Sequence, residues 1–116
     1  MDDHLHDAAV EQFVFDAARG RLTLWQKVEP FRQGQVVRKQ LVLSGIRNGA
    51  AVAAVQQLLD VERCQRRWTE LGYCVDWCGL DPAQPSRPPD LHLRLEIDHL
   101  SPLLVHCAKY RLQVLN

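Results

Sequence analysis

Leu91-His92-Leu93-Arg94-Leu95-Glu96-Ile97-Asp98 alternates apolar and polar residues without a miss. Strict period-two alternation marks a half-buried strand, with one face on a core and the other on water. Beyond Ser101-Pro102 runs Leu103 to Leu115, a long apolar-rich stretch that carries His106, Cys107 and Tyr110. The two pieces read as paired strands, yet no single phase serves the second of them. Leu103, Val105 and Cys107 face a core in one phase, and Tyr110, Leu112 and Val114 in the other. A change of phase in a strand needs one extra residue. The pattern predicts a bulge at about Ala108-Lys109, with Cys107 inward and His106 outward.

The N-terminal half supplies the partners for these strands. Residues 1–8 are expected to be flexible, and a hairpin begins near Val10. If Asp16 pairs with Arg21, then Phe15 faces Leu22 and Phe13 faces Leu24, so four apolar side chains share one face. Gly20 is then free to take the left-handed conformation that a short loop wants. Trp25 falls on the opposite face, as an edge contact or a sign that this face is covered too. Glu29-Pro30 to Gly34 is a turn. A third strand runs from about Val36 to Leu43, with Val37, Leu41 and Leu43 in phase, and Ser44-Gly45 ends it.

Asn48-Gly49 reads as a helix start with Asn48 as N-cap. Helical spacing follows through Val52, Val55, Leu58, Leu59, Val61, Cys64, Trp68 and Leu71, and Gly72 stands at the C-terminal position. Val55 to Cys64 and Leu59 to Trp68 are nine positions apart, about half a turn out of phase at ~100° per residue. Either the helix breaks near Asp60-Val61, the favoured reading, or its second face meets something besides its own sheet, such as a dimer partner. Tyr73 to Cys78 is a fourth strand, with Tyr73, Val75 and Trp77 on one face and Cys74, Asp76 and Cys78 on the other. Residues 81–90 hold Pro82, Pro85, Pro88 and Pro89, which forbid helix and central strand and predict a stiff, extended surface loop. The expected fold is α+β in a single domain: an antiparallel sheet of about six strands, ordered β-β-β-α-β-β-β along the chain, with one helical layer.

Composition excludes several classes of function. A chain of 116 residues buries a real core without metals or disulfides as staples. Fourteen Lys+Arg against fourteen Asp+Glu leave no net charge, so the electrostatic footprint of a nucleic-acid binder is absent. No apolar run approaches the ~20 residues of a membrane helix, and the acidic first residues lack a signal-peptide core. The expected location is cytoplasmic, with the four cysteines Cys64, Cys74, Cys78 and Cys107 reduced.

Candidate chemistry is sparse. Cys74 and Cys78 on one strand stand ~13 Å apart at ~3.3 Å per residue, too far for a disulfide or a shared zinc. No metal or cofactor is expected. His4 and His6 lie in an acidic tail. Arg63, Arg66 and Arg67 have carboxylates three and four positions away at Asp60, Glu62 and Glu70, which makes a self-neutralised helix surface. No glycine-rich phosphate loop or nucleophile elbow occurs, and Cys107 and His106, adjacent on a strand, point to opposite faces. No catalytic residue is assigned. If Ile97 faces Leu103, then Arg94 faces His106 with Glu96 diagonal to it. His92, Arg94, Glu96 and His106 then form a polar patch, either a site or an ordinary solvated face. Trp25 and Trp68 are candidate interface residues.

His6-Asp7-Ala8 ahead of a hairpin over Val10–Val28, the element Leu41-Val42-Leu43-Ser44-Gly45-Ile46 and the closing pair of strands together make a pattern. It resembles small bacterial domains of unknown function, including some polymorphic-toxin immunity proteins. The helical insert from Asn48 to Leu71 departs from the plain all-β version of that pattern. The resemblance implies a stoichiometric protein-binding role in the cytoplasm with no catalytic residues. The expected function is therefore a non-catalytic protein-interaction module that binds a protein partner or a second copy of itself, with no nucleic acid and no membrane. The alternative is a small-ligand-binding protein or minor enzyme using the sheet face around His92, Glu96 and His106.

Overall fold

The computed structural model describes residues 8–28, 36–66, 74–97 and 100–115. Three strands lead, β1 (Ala8–Asp16), β2 (Arg21–Val28) and β3 (Val37–Ser44), followed by the helix α1 (Gly49–Arg66). Four strands close the chain: β4 (Cys74–Leu80), β5 (Leu91–Ile97), β6 (Leu103–Cys107) and β7 (Lys109–Val114). The α+β antiparallel architecture is as expected, but the sheet has seven strands rather than about six.

The seventh strand arises at the phase change in the C-terminal run. The order across the sheet is β6-β5-β4-β1-β2-β3-β7, so its two end strands are consecutive pieces of one segment, parted by Ala108 alone. The first piece pairs with β5 and the second with β3. The sheet therefore curls until both of its ends share one continuous run of chain. Where the chain passes between partners, the Ala108 N–H donates to the Ser44 carbonyl at 2.9 Å. Gly45 sits there with φ +68°, and a Cβ on it would stand 2.6 Å from the Ala108 Cβ. Only glycine meets both demands, the left-handed backbone and the absent side chain.

The β1–β2 hairpin has the expected register, with Asp16 opposite Arg21, Phe15 opposite Leu22 and Phe13 opposite Leu24. Gly20 has φ 60°. Two bulges revise the expected faces. One between Val10 and Gln12 lets Val10 and Phe13, three apart, both point inward. The other, between Val75 and Trp77, turns Cys78 into the core beside Val75 and leaves Trp77 half-buried on the other side. An extra residue on one strand flips every side chain that follows it. Ala8, expected in a flexible tail, already belongs to β1.

The core is the inward face of this curled sheet: Leu22, Leu24, Leu41, Leu43, Leu93, Leu95 and Val105 are at most 2% exposed. Each fully buried side chain of this size contributes roughly 1.5–3 kcal/mol. Helix α1 begins in an alanine-rich stretch of high helix propensity and inserts Val52 and Leu59 into the core, with Val55 packed against it. It lies against β1 and β6. Among the described residues β1 and β4 are joined through Ala8 opposite Val75 and Ala9 opposite Cys74.

The expected break at Asp60-Val61 is absent, because α1 runs on to Arg66. Along it Leu58 is 46% and Val61 47% exposed. Two half-exposed side chains cost less than the backbone hydrogen bonds lost in a break. Trp68, Leu71 and Gly72, and the side chain of Cys64, lie outside the described residues. The proline-rich segment 81–90 is not extended. It folds as two turns, with the Gln84 N–H donating to the Asp81 carbonyl at 3.2 Å and a bridge between Arg87 and Asp90.

Candidate functional site

Two outer faces of the sheet carry the polar side chains. On β5 and β6, His92 stands opposite His106 and Arg94 opposite Leu104. The expected pairing of Arg94 with His106 is thus displaced by two residues. Leu95, not Ile97, faces Leu103. Past the end of β5 the Leu100 N–H donates to the Ile97 carbonyl at 3.1 Å. The outward face is unchanged, since a shift of two preserves the side.

The two imidazoles stack with centroids 4.4 Å apart and planes 14° from parallel. His106 Nε2 lies 3.2 Å from Asp90 Oδ1, and the same carboxylate oxygen takes the Arg47 guanidinium at 2.6 Å. The Ser86 hydroxyl oxygen accepts the His92 N–H at 3.0 Å, and the Asp81 N–H donates to the His92 carbonyl at 2.8 Å. Asp81 is buried, with its carboxylate accepting the Ala83 N–H at 3.0 Å in a turn that needs no helix. These contacts clamp the 81–90 segment onto the edge of β5. Arg94 and Glu96 pair with one another at 3.3 Å and take no part in the histidine stack. Of the four residues expected to form one patch, the structure joins His92 with His106 and Arg94 with Glu96. Arg47 and Asp90, which complete the cluster, were not foreseen; each flanks an element whose own pattern is legible, but their meeting is a product of the fold.

The cluster has little chemical freedom. Asp90 is engaged by Arg47 and so is a poor candidate to activate His106. Among the described residues no three His, Cys, Asp or Glu side chains are grouped to hold a metal ion. Cys78 and Cys107 are buried, and burial pushes their thiols up to about 12 and about 11, which suppresses the nucleophilic thiolate. Cys107 points inward and His106 outward, as alternation requires.

Asn48 does something other than the expected capping. It precedes the first residue of α1, but its side-chain Oδ1 accepts the His106 N–H at 2.9 Å while its Nδ2 donates to the Leu104 carbonyl at 2.7 Å. One amide thereby supplies the two bonds a neighbouring strand would make to the outer edge of β6. Gln56 acts in a related way at β1, its Oε1 accepting the Phe15 N–H at 2.8 Å.

The second face lies over β2, β3 and β7. Register places Arg21, Ser44 and Lys109 in one row, Thr23, Val42 and Arg111 in the next, and Trp25, Gln40 and Gln113 in a third. The first two rows and Gln40 line an open concavity of about 560 Å³ that contains no carboxylate. Arg21, Lys109 and Arg111 make no ion pair among the described residues, whereas Asp16, opposite Arg21, lies 3.7 Å from Arg19. Trp25, half-buried, shares this face; Trp68 lies outside the described residues. No protein-family model, no curated protein and no solved structure matches the chain.

Proposed function

We propose that this protein is a non-catalytic protein-interaction module, of the bacterial immunity-like kind that its sequence pattern resembles, acting in the cytoplasm. The observation that carries the reading is the outer face of β2, β3 and β7, where two arginines and a lysine line a concavity and a half-buried tryptophan stands on the same face, opposite Gln40 at its rim. Tryptophan and arginine are the side chains most enriched where binding energy concentrates at protein interfaces. The alternative, a small-ligand site or minor enzyme around His92, Glu96 and His106, has less support. Glu96 is engaged by Arg94, and His106, on which His92 stacks, is tied to a carboxylate already paired with Arg47. Among the described residues no helix is long and apolar enough to cross a membrane.

The test is site-specific photo-cross-linking in the native cells, with the reactive residue at Gln40 on the proposed face and, as control, at Ala54 on the exposed side of α1. A discrete cross-linked species at Gln40 alone is the expected result, its mass distinguishing a foreign partner from a second copy. No adduct at Gln40, together with a monomer by light scattering, refutes the reading.

A further inference from the structure

We propose that the concavity over β2, β3 and β7 takes an acidic protein segment, whose carboxylates lie on Arg21, Lys109 and Arg111. This deepens the interaction reading above and rests on it. Arg21 and Lys109 flank Ser44 on either side, their backbones ~10 Å apart across two strand spacings. Arg111 follows Lys109 on the same face at ~7 Å, the repeat of alternate residues in any extended chain. A carboxylate above Ser44 is therefore within reach of all three flexible cationic arms, and the Ser44 and Thr23 hydroxyls offer donors on the floor. A segment with acidic residues at alternate positions matches the spacing of Lys109 and Arg111.

The charge is local. The whole chain is neutral, with fourteen cations and fourteen anions, yet this concavity gathers three cations and no carboxylate. Asp16, opposite Arg21 on β1, pairs with Arg19 at 3.7 Å, and Glu11 pairs with Arg38 at 3.3 Å. Three like charges gathered with no ion pair among the described residues are stabilised when an anion arrives, and the excess of carboxylates over the rest of the chain disfavours a polyanion that extends beyond the concavity. The anion is thus better supplied by a short acidic stretch of protein than by a nucleic acid.

The full chain is titrated, by fluorescence anisotropy at low ionic strength, against a labelled peptide of alternating Glu and Thr, its Gln-for-Glu counterpart and an oligo-dT strand. Saturable binding of the Glu peptide, weakened about tenfold or more in the Arg21→Gln/Lys109→Gln/Arg111→Gln variant, is expected, with the Gln peptide silent. All three side chains are exposed, so an unchanged melting temperature certifies that the variant folds. Equal binding of the Glu peptide by wild type and variant, or binding of oligo-dT alone, overturns the proposal. The Gln40 cross-link separates the two levels. A partner captured equally by wild type and variant overturns the carboxylate assignment and leaves the interaction reading standing. Charge-dependent peptide binding with no cross-linked partner does the reverse.

Discussion

The fork made by Asn48 offers a test in which two roles for one side chain predict opposite results. As an N-cap, Asn48 would be replaced by Asp without loss, since the two rank together at that position. As an edge partner of β6, it cannot be. The carboxylate of Asn48→Asp still accepts the His106 N–H but has no donor for the Leu104 carbonyl, and it sets an oxygen where a 2.7 Å donor stood. Asn48→Ala leaves both backbone groups without their protein partner. Net contributions of about 1 kcal/mol for each hydrogen bond give a loss of about 2 kcal/mol for the Ala variant, and at least half of that for Asp. An unfolding entropy of ~2.1 cal/mol/K per residue over the 116-residue chain converts 2 kcal/mol into a fall in Tm of about 8 °C. Differential scanning calorimetry reads the shift, and amide hydrogen exchange at His106 reports the lost bond directly. Should Asn48→Asp melt with the wild type while Asn48→Ala falls, Asn48 is a cap after all and the edge-pairing argument fails.

Two further perturbations probe the interior. Gln26 is fully buried, and among the described residues neither its amide oxygen nor its nitrogen has a hydrogen-bond partner. Gln26→Met, close in volume, is expected to stabilise by about 1–3 kcal/mol in urea melts; destabilisation would mean that the amide is satisfied. The buried thiols make stability fall at alkaline pH. From the ordinary value of 9.0 to about 12 for Cys78, and to about 11 for Cys107, the unfolded chain releases a proton that the native one retains. The contribution is therefore intact below about pH 9 and declines above it, by up to about 1.4 kcal/mol per pH unit for each thiol. Urea melts of wild type and the Cys78→Ala/Cys107→Ala variant across that range should diverge in slope, and parallel slopes would contradict the assignment.

How much of this was legible follows from the range of each interaction. The β1–β2 register and the inward Leu91, Leu93, Leu95 and Ile97 were readable in advance, and so was the place of the phase change near Ala108, though it is a change of strand partner and not the expected bulge. Each depends on alternation within a few residues, or on a loop too short to allow a second register. The same local rule failed at Cys78, because a bulge between Val75 and Trp77 leaves no mark on the alternation that precedes it. It failed again at β5–β6, where a register displaced by two residues presents the same faces and so cannot be told from the correct one by pattern.

The opening stretch from Leu91 shows the division most clearly. Its residues alone determine that it is a strand, which side is buried, and that His92, Arg94 and Glu96 face outward. Tertiary structure decides what those outward residues meet: His106 for one, each other for the remaining two. The basic concavity lies further still from any local pattern, since Arg21, Ser44 and Arg111 come from three strands scattered over most of the chain. Side-chain period is a property of the backbone and is written in every few residues. Strand partnership is a choice among distant edges, made by the closure of the whole sheet around one core, and it is there that both candidate surfaces are assembled.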